Sequence, residues 1–118
     1  MLIMSMLLLV QSSPIDDSAR MLSAVRAAIS DYRGCVIAAS KKLDDKRSSA
    51  DVVVEGARSR CITERQLVEL LLQQWIEDAR QVTGPDTIRR SARQLLQRVD
   101  AELRPAAVAA VLENRKEH

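Results

Sequence analysis

Residues 15 to 43 read IDDSARMLSAVRAAISDYRGCVIAASKKL, and the spacing of their apolar side chains decides the fold class. Leu22, Ile29, Val36 and Leu43 fall on one heptad line, with Val25, Tyr32 and Ala39 on a second. Such lines make the seam of a helix packed lengthwise against a partner. Gly34 sits inside the pattern at a cost of about 1 kcal/mol against Ala, so it either permits close backbone approach or is simply tolerated. Lys41 and Lys42 close the segment, where cations suit the negative end of the helix dipole.

Beyond Leu43 the polar run Asp44-Asp45-Lys46-Arg47-Ser48-Ser49 makes a connection. Ser48, with Asp51 three residues on, has the pattern of an N-terminal cap, so a second helix is predicted from there, carrying Val54, Ala57 and Cys61 on one face. Thr63 and Gln66 then have capping-box spacing, with Ile62 and Leu67 in the hydrophobic-staple positions. A third helix is expected to begin at Thr63, the alternative being one continuous helix. Leu67, Leu70, Leu71, Leu72, Trp75, Ile76, Ala79 and Val82 give this third helix a broad apolar stripe, which predicts the most buried element.

Gly84 and Pro85 end that helix, and Asp86 can cap a fourth whose inward face is Ile88, Ala92, Leu95, Leu96, Val99 and Leu103. Pro105 suits a first helical position, so a short Ala-rich fifth segment is expected through Leu112, with residues 113 to 118 fraying.

Composition agrees. The chain has 118 residues, 47% of them apolar, with three Gly, three Pro, one Trp, one Tyr and no Phe. That length suits one domain, and an apolar share drawn from Ala, Leu, Val, Ile and Met favours helices over a meander of short strands. The expected fold is therefore an all-α bundle of four or five helices built on an antiparallel helical hairpin. Net charge is +2, from 18 basic and 16 acidic residues with interspersed signs, which disfavours a nucleic-acid partner because phosphate-neutralising proteins carry clustered positive excess.

Met1 to Val10 is an uncharged apolar run followed by Gln11-Ser12-Ser13-Pro14. It falls far short of the roughly 20 apolar residues of a transmembrane span, but it matches the roughly 7 to 15 of a signal-peptide core. Residues 1–12 are accordingly expected to be a signal peptide cleaved after Ser12, leaving residues 13–118 as one helical domain in the periplasm or secreted. The basic residue that should open such a signal is missing, since none occurs before Arg20. The alternative is a cytoplasmic protein whose first residues open a core helix.

Cys35 and Cys61 stand at similar distances on either side of the Asp44 to Ser49 connection. In an antiparallel hairpin rising about 1.5 Å per residue the sulfurs reach similar heights, and each borders an inward face. A structural disulfide is the expectation, against two buried reduced cysteines as the alternative. No metal is expected, because no close Cys pair or nearby His supplies finger spacing, and no Cys nucleophile, because the only His is His118.

The apolar start, Tyr32-x-x-Cys35, the Ala- and Val-rich helix, and Ala57-Arg58-Ser59-Arg60 before Cys61 together resemble small exported helical bacterial proteins of unassigned function whose paired cysteines flank a helical turn. The resemblance covers residues 1 to 65. It implies a periplasmic helical hairpin and brings no catalytic residue or substrate.

No Gly-rich phosphate loop, zinc-protease motif, nucleophile elbow or Cys-x-x-Cys occurs, so no enzyme, catalytic residue or cofactor is expected. The pairs Asp16-Asp17 and Asp44-Asp45 read as solvated carboxylates at helix ends or in a turn. Arg89, Arg90, Arg93 and Arg104 project from the fourth helix opposite its apolar stripe. They form a face for an anionic partner or, more ordinarily, a solvated surface diluted by Asp100. Trp75 with Leu70 to Leu72 reads as core, the alternative being an exposed partner-binding stripe. The functional expectation is a non-enzymatic exported protein that binds an unknown protein partner or is structural, with homo-oligomerisation left open.

Overall fold

The described residues form four helices: α1 (Pro14–Leu43), α2 (Ala50–Arg60), α3 (Ile62–Arg80) and α4 (Pro85–Glu117). The structure, a computed structural model, describes residues 14–80 and 84–117. The signal-peptide reading of residues 1–12, the expected helix end at Val82 and the terminal His118 lie outside the described residues. No strand occurs among the described residues, as the apolar periodicity requires.

The four helices form three rods. α1 has 30 residues, α2 and α3 have 11 and 19 on either side of Cys61, and α4 has 33, so three columns of similar height, about 45 Å at 1.5 Å per residue, lie side by side. α1 packs along both α2 and α3. Along α4 the partners run in reverse order: Arg93 faces Glu69, Asp100 faces Arg65 and Arg58, Arg104 faces Glu55, and Arg115 faces Asp44. The bundle is therefore up, down, up, with α2 and α3 together as the middle column.

Each joint differs in detail from the sequence expectation. The cap of α2 is Ser49, whose side chain accepts from the Val52 N–H, rather than Ser48. Ser48 is spent on the turn instead: its N–H and hydroxyl donate to Asp45, and its carbonyl accepts from Arg115. The break in the middle column lies at Cys61, two residues before the expected Thr63. Cys61 is the C-cap of α2, donating to the Ala57 and Arg58 carbonyls, while its own carbonyl accepts from the Arg65 N–H and so starts α3. A one-residue joint of this kind needs no capping box.

At the start of α4 the carbonyl of Gly84 accepts the first helical bond, from Ile88, and Asp86 lies in the first turn instead of capping it. Gly84 has φ of 111°, a left-handed conformation that glycine adopts without strain.

No separate fifth helix begins at Pro105, because α4 continues through it. Proline deprives the Ala101 carbonyl of its helical donor, but Ala101 is exposed, so water can satisfy that oxygen. Leu103, Ala107 and Val111, on both sides of the proline, are all buried, so core contacts hold both halves in the helix. Nor does the helix fray from residue 113; it continues to Glu117, fastened by Arg115.

The core is aliphatic, with Val25, Ala28, Tyr32 and Val36 from α1, Val53, Val54 and Ala57 from α2, Val68, Leu72 and Ile76 from α3, and Ala92, Leu96, Leu103, Ala107 and Val111 from α4. Among the described residues α3 is not the most buried element: its Val68, Leu72 and Ile76 line faces fully inward, Trp75 is half-buried, and Leu67 and Leu70 are exposed. Its apolar stripe is wider than the strip its neighbours cover. Gly34 has nothing within 4 Å of where a Cβ would stand, so close backbone approach does not explain it. Gly34→Ala is expected to stabilise the protein by about 0.5 to 1 kcal/mol, read as a higher urea midpoint.

Candidate functional site

Cys35 on α1 and Cys61 at the α2–α3 joint form a disulfide, with Cα atoms 6.1 Å apart. One helical turn from these cysteines, at Tyr32, Arg58 and Arg65, begins the most connected polar cluster of the bundle. Its centre is Asp100, in the middle of α4. The Tyr32 hydroxyl donates to Asp100 Oδ1 at 2.6 Å, Arg58 Nη2 donates to Oδ2 at 2.9 Å, and Arg65 donates to the same oxygen through Nε at 3.2 Å and Nη2 at 3.0 Å. Tyr32 is fully buried, and the Asp100 side chain is only 12% exposed. One carboxylate on α4 therefore receives donors from both other columns at mid-height.

The cluster extends outward to the surface. Arg58 Nη1 also donates to Glu55, which accepts from Arg104, and Arg104 lies near Asp51 as well. Arg58 Nε, buried, has no hydrogen-bond partner. Burial raises the Tyr32 hydroxyl above the ordinary tyrosine pKa, and its bond to Asp100 raises it further. Arg65 is held more firmly charged than usual by Asp100. Burial works against the charge of Arg58, yet the neighbouring Tyr32 and Asp100 outweigh it and leave its pKa raised.

Tyr32 is the only tyrosine, so its titration can be followed directly at 295 nm. Protonated Tyr32 stabilises the fold below the ordinary value of 10.0, and that contribution is lost as pH rises through the higher folded-state value. The phenolate is expected to form above pH 10, together with loss of helical circular dichroism. A midpoint at or below 10 in the folded protein would contradict the burial of this hydroxyl.

A second tie closes the far end of the bundle. Arg115 on α4 donates to both oxygens of Asp44 and to the Ser48 carbonyl, so the turn between α1 and α2 is clasped by the last turn of α4. Inside the turn the Lys46 N–H donates to Asp44, and the N–H groups of Arg47 and Ser48 donate to Asp45. Arg115 holds the Asp44 carboxyl below the usual carboxylate range, and the Ser48 and Arg47 amides bring Asp45 down to about 2. Depressed carboxyl pKa values stabilise the fold above the unfolded value of 3.8 and lose that contribution as pH falls through the folded values. The urea midpoint is accordingly expected to fall between pH 4 and 2, and the Asp44→Asn, Asp45→Asn double variant to show a flatter decline over that window.

Three of the four arginines singled out in the sequence are paired with carboxylates of this chain. Arg89, Arg90 and Arg93 line a shallow open concavity on α4 with Asp86, Gln94 and Gln97. Arg89 pairs with Asp86 one turn away, and Arg93 is 3.6 Å from Glu69 of α3. Arg104 is turned toward α2 and bound to Glu55. Asp100, which seemed in the sequence to dilute that basic surface, belongs to the interior. Asp44 and Asp45 are turn acceptors, each with donors of this chain on its carboxylate.

The sequence reading missed the Asp100 cluster. Tyr32 stood on the α1 seam with a polar tip that needs a partner when buried. Asp100 stood beside Val99 on the inward side of α4, and Arg58 and Arg65 flanked Cys61 by one turn on either side. Only the pairing of columns joins these signals.

No protein-family model, no curated protein and no solved structure matches the chain. No described helix is long and apolar enough to cross a membrane.

Proposed function

We propose that this chain works outside the cytoplasm, in the periplasm or secreted, as a non-enzymatic helical protein that binds a protein partner or serves structurally. The observation that carries the reading is the Cys35–Cys61 disulfide, since disulfides persist in oxidising compartments and small exported domains rely on them. The apolar run from Met1 to Val10 with the polar patch after it supports the same address. The setting of Asp100 supports the non-enzymatic part. A general base must reach its substrate's proton, whereas this carboxylate is largely buried and both its oxygens accept bonds within the chain, from Tyr32, Arg58 and Arg65. Its chemistry is that of a bolt between columns.

Mass spectrometry and thiol counting on native protein from fractionated cells test this reading. The expected product begins at Ser13, carries no titratable thiol and appears in the periplasmic or extracellular fraction. An intact Met1 with two free thiols in the cytoplasmic fraction overturns it.

One observation favours a second reading, that of a cytosolic nucleic-acid-binding protein: Arg90 and Arg93 are exposed beside Gln94 and Gln97 on the outer side of α4. It expects retention on immobilised DNA or RNA at low salt, weakened by Arg90→Ala and Arg93→Ala. Absence of retention at low salt removes it.

A further inference from the structure

The two sulfurs of the disulfide have a neighbour that spacing along the chain does not advertise. Glu64 lies one turn beyond Cys61 at the start of α3, and ligand atoms of Cys35, Cys61 and Glu64 all lie within 4.8 Å of one another. Two thiolates and a carboxylate sharing a tetrahedral zinc ion are separated by roughly 3.5 to 3.8 Å, given metal–sulfur bonds of about 2.3 Å and metal–oxygen bonds of about 2.0 to 2.2 Å. The three donors come from both sides of the α1 to α2–α3 seam, so small side-chain adjustments suffice. Cys61 is buried while Cys35 and Glu64 are partly exposed, which leaves an outward side for the ion to enter and for water to complete the coordination.

We propose that in the reduced protein Cys35, Cys61 and Glu64 bind one thiophilic divalent cation of the zinc class. A dithiol reductant passes two electrons and two protons to the disulfide and becomes a cyclic disulfide itself. Binding of the cation then releases the two thiol protons to solvent, because the thiolates are the ligands. The disulfide and the metal site are mutually exclusive states of the same sulfurs, and both fasten α1 to the α2–α3 joint. The chain would thus keep a cross-link before and after oxidation. This inference does not depend on export, and the measurement below can succeed or fail whatever the outcome of the fractionation experiment.

Co²⁺ is the probe, because thiolate coordination gives it a charge-transfer absorption in the near ultraviolet. Full-length protein reduced with a dithiol, freed of reductant without oxygen and titrated with Co²⁺ is expected to saturate at one ion per chain with that absorption, and Zn²⁺ to displace it. Oxidised protein is expected to show no such band. Glu64→Gln, at a partly exposed position, is expected to weaken binding about tenfold or more while keeping the thiolate band; Cys35→Ser is expected to abolish stoichiometric binding. No charge-transfer band from reduced protein that retains its helical circular dichroism overturns the site. Unchanged affinity in Glu64→Gln overturns the three-ligand assignment. Should reduction unfold the chain, Zn²⁺ is added to the reduced form and helicity at 222 nm is read: recovery supports the site and no recovery overturns it.

Discussion

The Cys35→Ala, Cys61→Ala double variant is expected to lose about 3 to 4 kcal/mol of unfolding free energy, because a cross-link closing a loop of this length removes that much entropy from the unfolded chain in the loop-closure model. The residues bridged are 26 apart in sequence and span the seam between α1 and the middle column. At about 4 °C per kcal/mol for a domain of this size, the melting temperature is expected to fall by roughly 12 to 16 °C. The urea slope should rise slightly, since an unbridged unfolded chain exposes more surface. A net stability of about 5 to 15 kcal/mol is usual for domains, so at least about a fifth of the total is at stake. A loss below about 1 kcal/mol would mean that the bridge fastens helices already held by packing. Replacing both cysteines avoids leaving one reactive thiol at a joint that is also the C-cap of α2.

What could be read beforehand was periodic or local. Val25, Tyr32 and Val36 lie on the expected seam and are buried, and the cysteines meet because they stand at matched heights on either side of one turn. Local signals misled where two of them competed. Pro105 has the preference of a first helical residue, but Leu103 before it and Ala107 and Val111 after it are all buried by the same neighbours, and tertiary contact outweighs one lost backbone bond. Ser48 has a cap's spacing to Asp51, but Asp45 and Arg115 claim it and the cap falls to Ser49. The third kind of feature has no local signal at all. Asp100 reaches partners 68, 42 and 35 residues away, and Arg115 reaches Asp44 71 residues away. Such pairs depend on column order, which amphipathic patterns leave degenerate: a three-rod bundle of either hand buries the same stripes. Polar bolts of this kind give an aliphatic core without Phe a means of fixing which rod lies where, as buried polar groups do when they set register in helical bundles.

That role makes Asp100 the position where a single side chain should matter most. Asp100→Ala leaves the Tyr32 hydroxyl, Arg58 and Arg65 without their shared acceptor, and breaking a largely buried ion pair by removing one partner costs about 3 to 5 kcal/mol. The Arg58 and Arg65 side chains are 23% and 28% exposed, so water recovers part of the loss, and about 2 to 4 kcal/mol is the expectation at pH 7. Asp100→Asn keeps the size and one acceptor oxygen and should fall between the wild type and Ala. Arg65→Met should cost less than either, because Asp100 retains Tyr32 and Arg58. Urea midpoints order the series, and the Tyr32 titration reads the mechanism independently: removing the carboxylate removes the bond that helps hold the hydroxyl protonated, so its midpoint should move down toward 10 while burial keeps it from falling further. A loss below about 1 kcal/mol in Asp100→Ala, with the phenol titration unmoved, would mean that packing alone sets the order of the columns. Coupling is the last discriminator. Asp100→Ala combined with the cysteine pair should lose less than the sum of the two, because Tyr32, Arg58 and Arg65 are each one turn from a bridged cysteine and are already loosened when the bridge is gone.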